Sequence, residues 1–147
     1  MAEKQVTLSA RLAEIVEALP LRPGLRVLEI GCGTGAAARA VAHRIGDGHI
    51  LAIDRSAKAV ELTRATSVSQ IAHGRMSVRQ VAVEDFELEP DEAPFDLAFA
   101  VRVGALDGRL PAAGARALAR IGAALTPEGR LLIDGGDPLR EIALPGR

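Results

Sequence analysis

The sequence of 147 residues contains no tryptophan, no tyrosine and a single cysteine. Its three phenylalanines are its only aromatic residues, so it offers few side chains on which the bases of a single-stranded nucleic acid could stack. One cysteine cannot form an internal disulfide, and it cannot build a cysteine-rich metal site. These absences exclude a disulfide scaffold and count against a nucleic-acid-binding protein.

Strong charge and long apolar runs are absent as well. The net charge is -1, and the sixteen arginines are scattered along the chain without forming a basic patch for a phosphate backbone. No apolar run is long enough to span a bilayer, and the N-terminus has no apolar signal segment. We therefore expect a cytoplasmic protein without a nucleic-acid or membrane partner, folded as one domain over residues 1–147.

Helical and strand patterns alternate along the chain. Helices are predicted at residues 7–19, from Gly35 onward, after Ser56 and at 111–125, and strands at 26–30, 49–54, 76–83, 95–101 and 130–134, with a turn at 126–129. This alternation predicts an α/β fold with an open, doubly wound and mainly parallel sheet that carries helices on both faces. In such a sheet the ligand lies beyond the C-terminal ends of the strands.

The first predicted strand runs into a glycine-rich segment, VLEIGCGTG, at residues 27–35. Gly31, Gly33 and Gly35 remove side chains where the backbone turns sharply and where a ligand can approach it. With Ala36 the segment also fits the dinucleotide pattern G-x-G-x-x-A, which leaves an NAD-dependent oxidoreductase as an alternative. However, Glu29 would repel a pyrophosphate and attract an ammonium or sulfonium group, so it favours a different ligand.

The segment resembles the first motif of the class I S-adenosylmethionine-dependent methyltransferases, an acidic residue followed by G-x-G-x-G. The resemblance continues through Asp54 in AIDRS, VEDFEL at 83–88, FDLAFA at 95–100 and LARIGAALTPEGRLLID at 118–134. It extends over residues 25–135, nearly the whole chain. It implies a Rossmann-like methyltransferase core that uses S-adenosyl-L-methionine.

The resemblance also implies a cofactor site. Glu29 would orient the loop and favour the positive end of the cofactor, Asp54 would accept bonds from the ribose hydroxyls, and the segment from Val83 would border the adenine. The family often has an acidic residue two positions before Glu84, where this chain has Ala82, so the carboxylate that reads the adenine stays open. The implied cofactor-binding residues are Glu29, Gly31, Cys32, Gly33, Gly35, Asp54, Arg55, Val83, Glu84, Asp85 and Ala100.

The methyl acceptor is less well defined. Methyl transfer is an in-line displacement in which positioning supplies much of the acceleration, so a general base is not obligatory and no catalytic residue is assigned. Residues 100–110 lack the Asn/Asp-Pro-Pro-aromatic motif of enzymes that methylate amino groups of nucleic acids and proteins. We therefore expect a small-molecule acceptor. Asp107, Asp134 and Asp137 are candidate metal ligands by their position alone, and no metal site is predicted.

After the fifth predicted strand, the antiparallel pair that usually completes the family's sheet is expected to be missing. The edge of that strand would then be covered by residues 135–147 or by the same edge of a second copy, which would give a homodimer. A protein that binds S-adenosylmethionine without catalysis, as a partner subunit, is the alternative to an enzyme.

Overall fold

The computed structural model describes residues 8–147, which form a single six-stranded sheet flanked by helices. The strands are β1 (Arg26–Ile30), β2 (His49–Asp54), β3 (Met76–Gln80), β4 (Phe95–Ala100), β5 (Leu125–Asp134) and β6 (Leu139–Ile142). The helices are α1 (Ala10–Ala18), α2 (Ala36–Ala42), α3 (Ala57–Thr66), α4 (Val68–Ala72) and α5 (Pro111–Ala124). A 3₁₀ turn covers Val83–Asp85. Thr7, the first residue of the first predicted helix, lies outside the described residues.

The strand order is β3-β2-β1-β4-β5-β6. The first five strands are parallel, and β6 runs antiparallel to β5. The chain builds outward from β1 to β3 and then returns to the other side of β1, so the switch point of the sheet lies between β1 and β4. The doubly wound, mainly parallel sheet of the sequence analysis is confirmed, and the switch point is where such sheets bind ligands.

The C-terminal edge of the sheet differs from the prediction. Residues 139–142 form β6 and pair with β5 from Leu131 to Asp134, and Arg130 forms an ion pair of 2.8 Å with Glu141 across the two strands. The expectation that the sheet lacks its C-terminal antiparallel strands is therefore wrong for one strand, β6, and of the two covers proposed for this edge the structure shows residues 135–147. Residues 135–147 cover the edge that motivated a homodimer, so this edge gives no reason to expect one.

Local boundaries also shift where tertiary pairing overrides turn residues. The predicted turn at 126–129 lies inside β5, where the pairing with β4 jumps from Leu125 to Arg130 opposite Phe95 and Leu97. Those four residues therefore form an irregularity in a longer strand. β3 ends at Gln80, three residues earlier than predicted, because the chain turns toward the 3₁₀ segment.

The sheet is buried on both faces, as expected of parallel strands covered by helices. On one face, Leu28 of β1 belongs to a cluster with Ala117 and Ile121 of α5. On the other face, Val27 of β1 belongs to a cluster with Val16 of α1. The helices thus hold the strand ends of the switch point in a fixed arrangement.

Candidate functional site

A cleft of about 510 Å³ opens at the C-terminal ends of the central strands. Its walls come from the ends of β1 and β2, the segment after β3 and the segment after β4. The lining residues are Ile30, Gly31, Gly33, Ile53, Asp54, Arg55, Val81, Ala82, Val83, Glu84, Val101, Arg102, Val103, Gly104, Ala105, Arg109 and Leu110. The cleft therefore lies at the switch point of the sheet, where the topology predicts a ligand.

A second cleft, of about 520 Å³, lies on the other side of the glycine loop. It is lined by Ser9, Arg11, Leu12, Glu29, Gly31, Cys32, Gly33, Thr34, Ala36, Ala37, Val101 and Arg102. Gly31, Gly33, Val101 and Arg102 line both clefts, so the two spaces meet along the loop and along the segment after β4.

The glycine loop connects β1 to α2, and two of its glycines have different physical roles. Gly33 has a φ of +53°, and a Cβ placed there would meet no atom within 4 Å, so the loop leaves open space where Gly33 lines the clefts. Gly35 has a φ of +82°, and a Cβ there would lie 2.8 Å from the Cγ2 atom of Thr63. Gly33 thus leaves room for a ligand, whereas Gly35 allows close packing against α3.

Asp54 ties the glycine loop to the end of β2. Its Oδ2 atom accepts a hydrogen bond from the Gly33 backbone N–H at 3.1 Å, and its Oδ1 atom accepts one from the Ser56 N–H at 2.9 Å. The buried hydroxyl of Thr63 donates to the Gly33 carbonyl at 3.1 Å and secures the loop from α3. The Asp54 carboxylate is therefore held in a fixed orientation at the wall of the first cleft, with further lone pairs able to accept hydrogen bonds.

Glu29 is a buried acid with an unsatisfied oxygen. Its side chain is 4 % exposed, and its Oε1 atom has no hydrogen-bond partner within the described part of the chain. Burial, reinforced by the negative charge of Asp54, raises the pKa of Glu29 well above its usual value of 4.5, although the positive charge of Arg39 opposes this shift. An unpaired buried carboxyl is costly, and a cationic ligand group in the second cleft would remove that cost.

Cys32 is a poor nucleophile. Its side chain is buried and its sulfur accepts a hydrogen bond from the Thr63 hydroxyl at 3.3 Å. Burial raises the pKa of the Cys32 thiol to about 11, so the reactive thiolate is scarce at neutral pH. Its position agrees with a small residue of the loop that packs against α3.

The structure brings most of the eleven predicted cofactor-binding residues together. Six of them line the first cleft: Gly31, Gly33, Asp54, Arg55, Val83 and Glu84. Glu29 and Cys32 line the second cleft.

Gly35, Asp85 and Ala100 line neither cleft. Ala100 is buried within the sheet at the end of β4. Asp85 forms an ion pair of 2.9 Å with Arg116 of α5, so of the two carboxylates left open for the adenine only Glu84 borders the cleft.

The predicted cofactor-binding residues leave out several lining residues that follow β3 and β4. Val81 and Ala82 come directly after β3, and Arg102, Val103, Gly104, Arg109 and Leu110 come after β4. Their position after strand ends is the signal that could have found them. No local signal marks Arg102, whose φ of +57° is unusual for a residue with a side chain.

None of the histidines in the described part of the chain lines either cleft. His49 bonds to the Gly74 carbonyl and to Ser77, and His43 and His73 line a separate pocket. Among residues 8–147 no group of three His, Cys, Asp or Glu side chains is arranged to hold a metal ion. None of the helices in this part of the chain combines the length and the apolar character needed to cross a membrane.

Comparison with known proteins identifies similar domains. The family model described as a methyltransferase domain matches residues 27–129. A protein-L-isoaspartate O-methyltransferase of Methylorubrum populi is 40% identical over 92% of this chain and 58% of its own length. A nocamycin O-methyltransferase of Saccharothrix syringae is 36% identical over 91% of this chain and 46% of its own length.

The solved structures agree in fold. An S-adenosylmethionine-dependent methyltransferase of Mesorhizobium loti superimposes with a TM-score of 0.66 and 24% identity, over 85% of this chain and 52% of that one. The chain thus spans about half the length of the curated relatives it matches.

Proposed function

Because this chain belongs to the class I S-adenosylmethionine-dependent methyltransferase family, we propose that it binds S-adenosylmethionine across the two clefts and methylates a small molecule. The observation that carries the proposal is the meeting of the bare loop at Gly33, the oriented carboxylate of Asp54 and the unsatisfied oxygen of Glu29 around one continuous space. Each of these features would contact a different part of the cofactor.

Charge supports the placement of the amino-acid end of the cofactor in the second cleft. S-adenosylmethionine carries an ammonium group and a sulfonium centre, both positive. Glu29 lines this cleft with a carboxyl oxygen that has no partner among residues 8–147. An ammonium group there would satisfy that oxygen and would favour the ionised form of the acid.

Hydrogen-bonding capacity supports the placement of the nucleoside in the first cleft. Asp54 offers a carboxylate that backbone amides already orient, which suits the two hydroxyls of a ribose. Val83 and Glu84 lie on the wall beyond it and would border the adenine. Binding would use a site that is largely formed in advance, because the loop is held by Asp54 and Thr63.

The bound cofactor supplies a methyl group activated by a positively charged sulfur. The residues of this chain hold the reactants in position, which is where most of the acceleration of such a displacement arises. Val101, Val103 and Leu110 form an apolar wall after β4 that would exclude water from this space. Asp54 lines the same cleft and provides a carboxylate there.

The volumes of the clefts support a small-molecule acceptor. The two clefts measure about 510 and 520 Å³, within the range of small-molecule sites. Both curated relatives described above are named as O-methyltransferases, one for protein L-isoaspartate and one for nocamycin. Their names support an oxygen acceptor, and they make a protein acceptor the alternative.

Calorimetric titration with S-adenosylhomocysteine, S-adenosylmethionine and NAD tests the cofactor. We expect S-adenosylhomocysteine to bind and, at about a hundred times its dissociation constant, to stabilise the protein by about 2.7 kcal/mol. Binding of NAD without binding of S-adenosylhomocysteine would support an oxidoreductase instead. Cofactor binding without methyl transfer to any acceptor would support a non-catalytic partner subunit.

A further inference from the structure

Arg102 has a strained backbone that another residue holds in place. It is the one non-glycine residue with a positive φ, +57°, within the described part of the chain. Its backbone N–H donates to the Oδ1 atom of Asp134 at 3.0 Å, which fixes this conformation at the end of β5. Non-glycine residues in the left-handed region cluster at functional sites, where the surrounding structure maintains the strain.

The same carboxylate organises a second arginine. The Oδ2 atom of Asp134 lies 3.4 Å from a guanidinium nitrogen of Arg11, and the Asp134 side chain is only 15% exposed. Arg11 and Arg102 come from distant parts of the chain, and both line the second cleft. One carboxylate thus contacts the backbone of Arg102 and the guanidinium of Arg11, so two arginines and one aspartate meet at this wall.

The guanidinium of Arg102 is available to a ligand. Its side chain has no hydrogen bond or ion pair within residues 8–147, whereas Arg109, the next arginine along the chain, is paired with Asp107 at 2.7 Å. Arg102 lines both clefts and is therefore one of the residues where they meet. A planar guanidinium with several N–H donors matches a carboxylate in a two-pronged geometry.

The clefts hold few groups that could remove a proton from an acceptor. Among residues 8–147, no histidine, lysine or tyrosine lines either cleft. Burial raises the pKa of Cys32 to about 11, and both oxygens of Asp54 accept backbone hydrogen bonds. Glu84 follows β3, so β2 and β1 separate it from the segment that carries Arg102. Glu29 is 4% exposed and, in the proposed function, faces the ammonium group of the cofactor.

We propose that the methyl acceptor is a small carboxylic acid, bound as its carboxylate by Arg102 with Arg11 beside it in the second cleft. The inference rests on the proposed function, because it assigns the acceptor of the same site. A carboxylate is already deprotonated near neutral pH, so the missing base is not needed. A lone pair of the carboxylate oxygen forms the new O–C bond while the C–S bond breaks with its electron pair moving to sulfur. The products are a neutral methyl ester and a neutral thioether, and no proton is released.

The first experiment identifies the acceptor atom. The protein is incubated with methyl-labelled S-adenosylmethionine and a panel of aliphatic and aromatic carboxylic acids, with the matching primary amides and alcohols as controls. We expect label that mild base releases as methanol, the signature of a methyl ester, from acids alone. Label that resists base, or no labelled ester from any acid while S-adenosylhomocysteine still binds, would overturn the inference and leave the cofactor assignment intact.

The second experiment measures binding without turnover. In the complex with S-adenosylhomocysteine, an acid that is methylated in the panel should raise the melting temperature further, and its amide should not. Arg102→Gln should weaken this binding by about 10- to 150-fold, the range expected for hydrogen bonds to a charged group, and Arg102→Lys should restore part of it. The control is Arg44→Gln, since Arg44 is paired with Glu17 and lines neither cleft.

S-adenosylmethionine also has a carboxylate. A third measurement therefore distinguishes binding of the acceptor's carboxylate by Arg102 from binding of the cofactor's carboxylate. If Arg102 binds the acceptor, Arg102→Gln should leave the affinity for S-adenosylhomocysteine within about twofold of the original, a change well below that of a lost charged hydrogen bond. A large loss of that affinity, together with unchanged binding of 5′-methylthioadenosine, which lacks the amino-acid part, would assign Arg102 to the cofactor and overturn the inference. Equal acid binding by Arg102→Gln and the original protein would also overturn it.

Discussion

Replacing Gly33 with alanine separates the ligand-binding role of the glycine loop from its role as a turn. Gly33 has a φ of +53°, so a side chain makes the left-handed backbone less favourable by about 1–2 kcal/mol. The added Cβ would meet no atom within 4 Å, so the protein itself has room for it. We therefore expect Gly33→Ala to fold with only this modest loss in the free energy of unfolding.

The effect on the cofactor should be larger than the effect on the fold. Gly33 lines both clefts, so the new methyl group would occupy space that the ligand needs. Forcing one extra methyl group into a packed contact costs about 1–3 kcal/mol. The dissociation constant for S-adenosylhomocysteine should therefore rise by about 5- to 150-fold.

Gly74 offers a matched control. It has a φ of +75°, a Cβ there would also meet no atom within 4 Å, and it lines neither cleft. Gly74→Ala should cost a similar amount of stability and leave the affinity unchanged. Calorimetric titration with S-adenosylhomocysteine and thermal unfolding of both variants provide the two measurements. Unchanged affinity in Gly33→Ala would mean that the loop is only a structural turn, and the proposed cofactor site would be refuted.

Asp54→Ala should weaken binding of S-adenosylhomocysteine by about 10- to 150-fold in calorimetry, because a hydrogen bond to a charged group contributes about 1.5–3 kcal/mol. Asp91→Ala, in an exposed turn, is its control. If Asp54→Ala and the original protein bind S-adenosylhomocysteine with equal affinity, Asp54 only holds the glycine loop in place. Burial raises the pKa of Glu29 above 4.5, so the folded state binds the proton more tightly and loses stability as the pH rises above that value. Glu29→Gln should therefore raise the melting temperature of the ligand-free protein more at about pH 8 than at about pH 5, and a gain independent of pH would contradict this reasoning. Cys32 should resist iodoacetamide in the folded protein and react after unfolding, which mass spectrometry can follow, because burial raises its thiol pKa to about 11.

The sequence could predict the parallel sheet and the place where most of the proposed cofactor-binding residues meet, because both depend on local patterns. Each strand reads as a short apolar run, and the proposed binding residues lie at the C-terminal ends of two of these strands. Glu29 lies in β1, the glycine loop follows β1, and Asp54 is the last residue of β2. Since parallel strands bring their C-terminal ends to the same edge, strand ends far apart in sequence meet in space. No knowledge of side-chain packing is needed for this step.

Two features of the sheet edge and the cleft were decided by the tertiary structure alone. Residues 139–142 have no strong strand pattern, and they form β6 because the open edge of β5 supplies partners for their backbone groups. Asp85 and Glu84 are neighbours in the chain, yet Arg116, which lies 31 residues beyond Asp85, draws Asp85 toward α5 and leaves Glu84 at the cleft.

The arginines that we assign to the acceptor site show most clearly what local sequence patterns cannot predict. Asp134 joins Arg102 and Arg11 from positions 32 and 123 residues away, and the positive φ of Arg102 depends on that long-range contact. Periodicity and motif spacing report what a segment does locally, so the sequence determined the sheet and its glycine loop. Which charged groups meet across the site depends on how distant elements pack, and only the folded chain decided that.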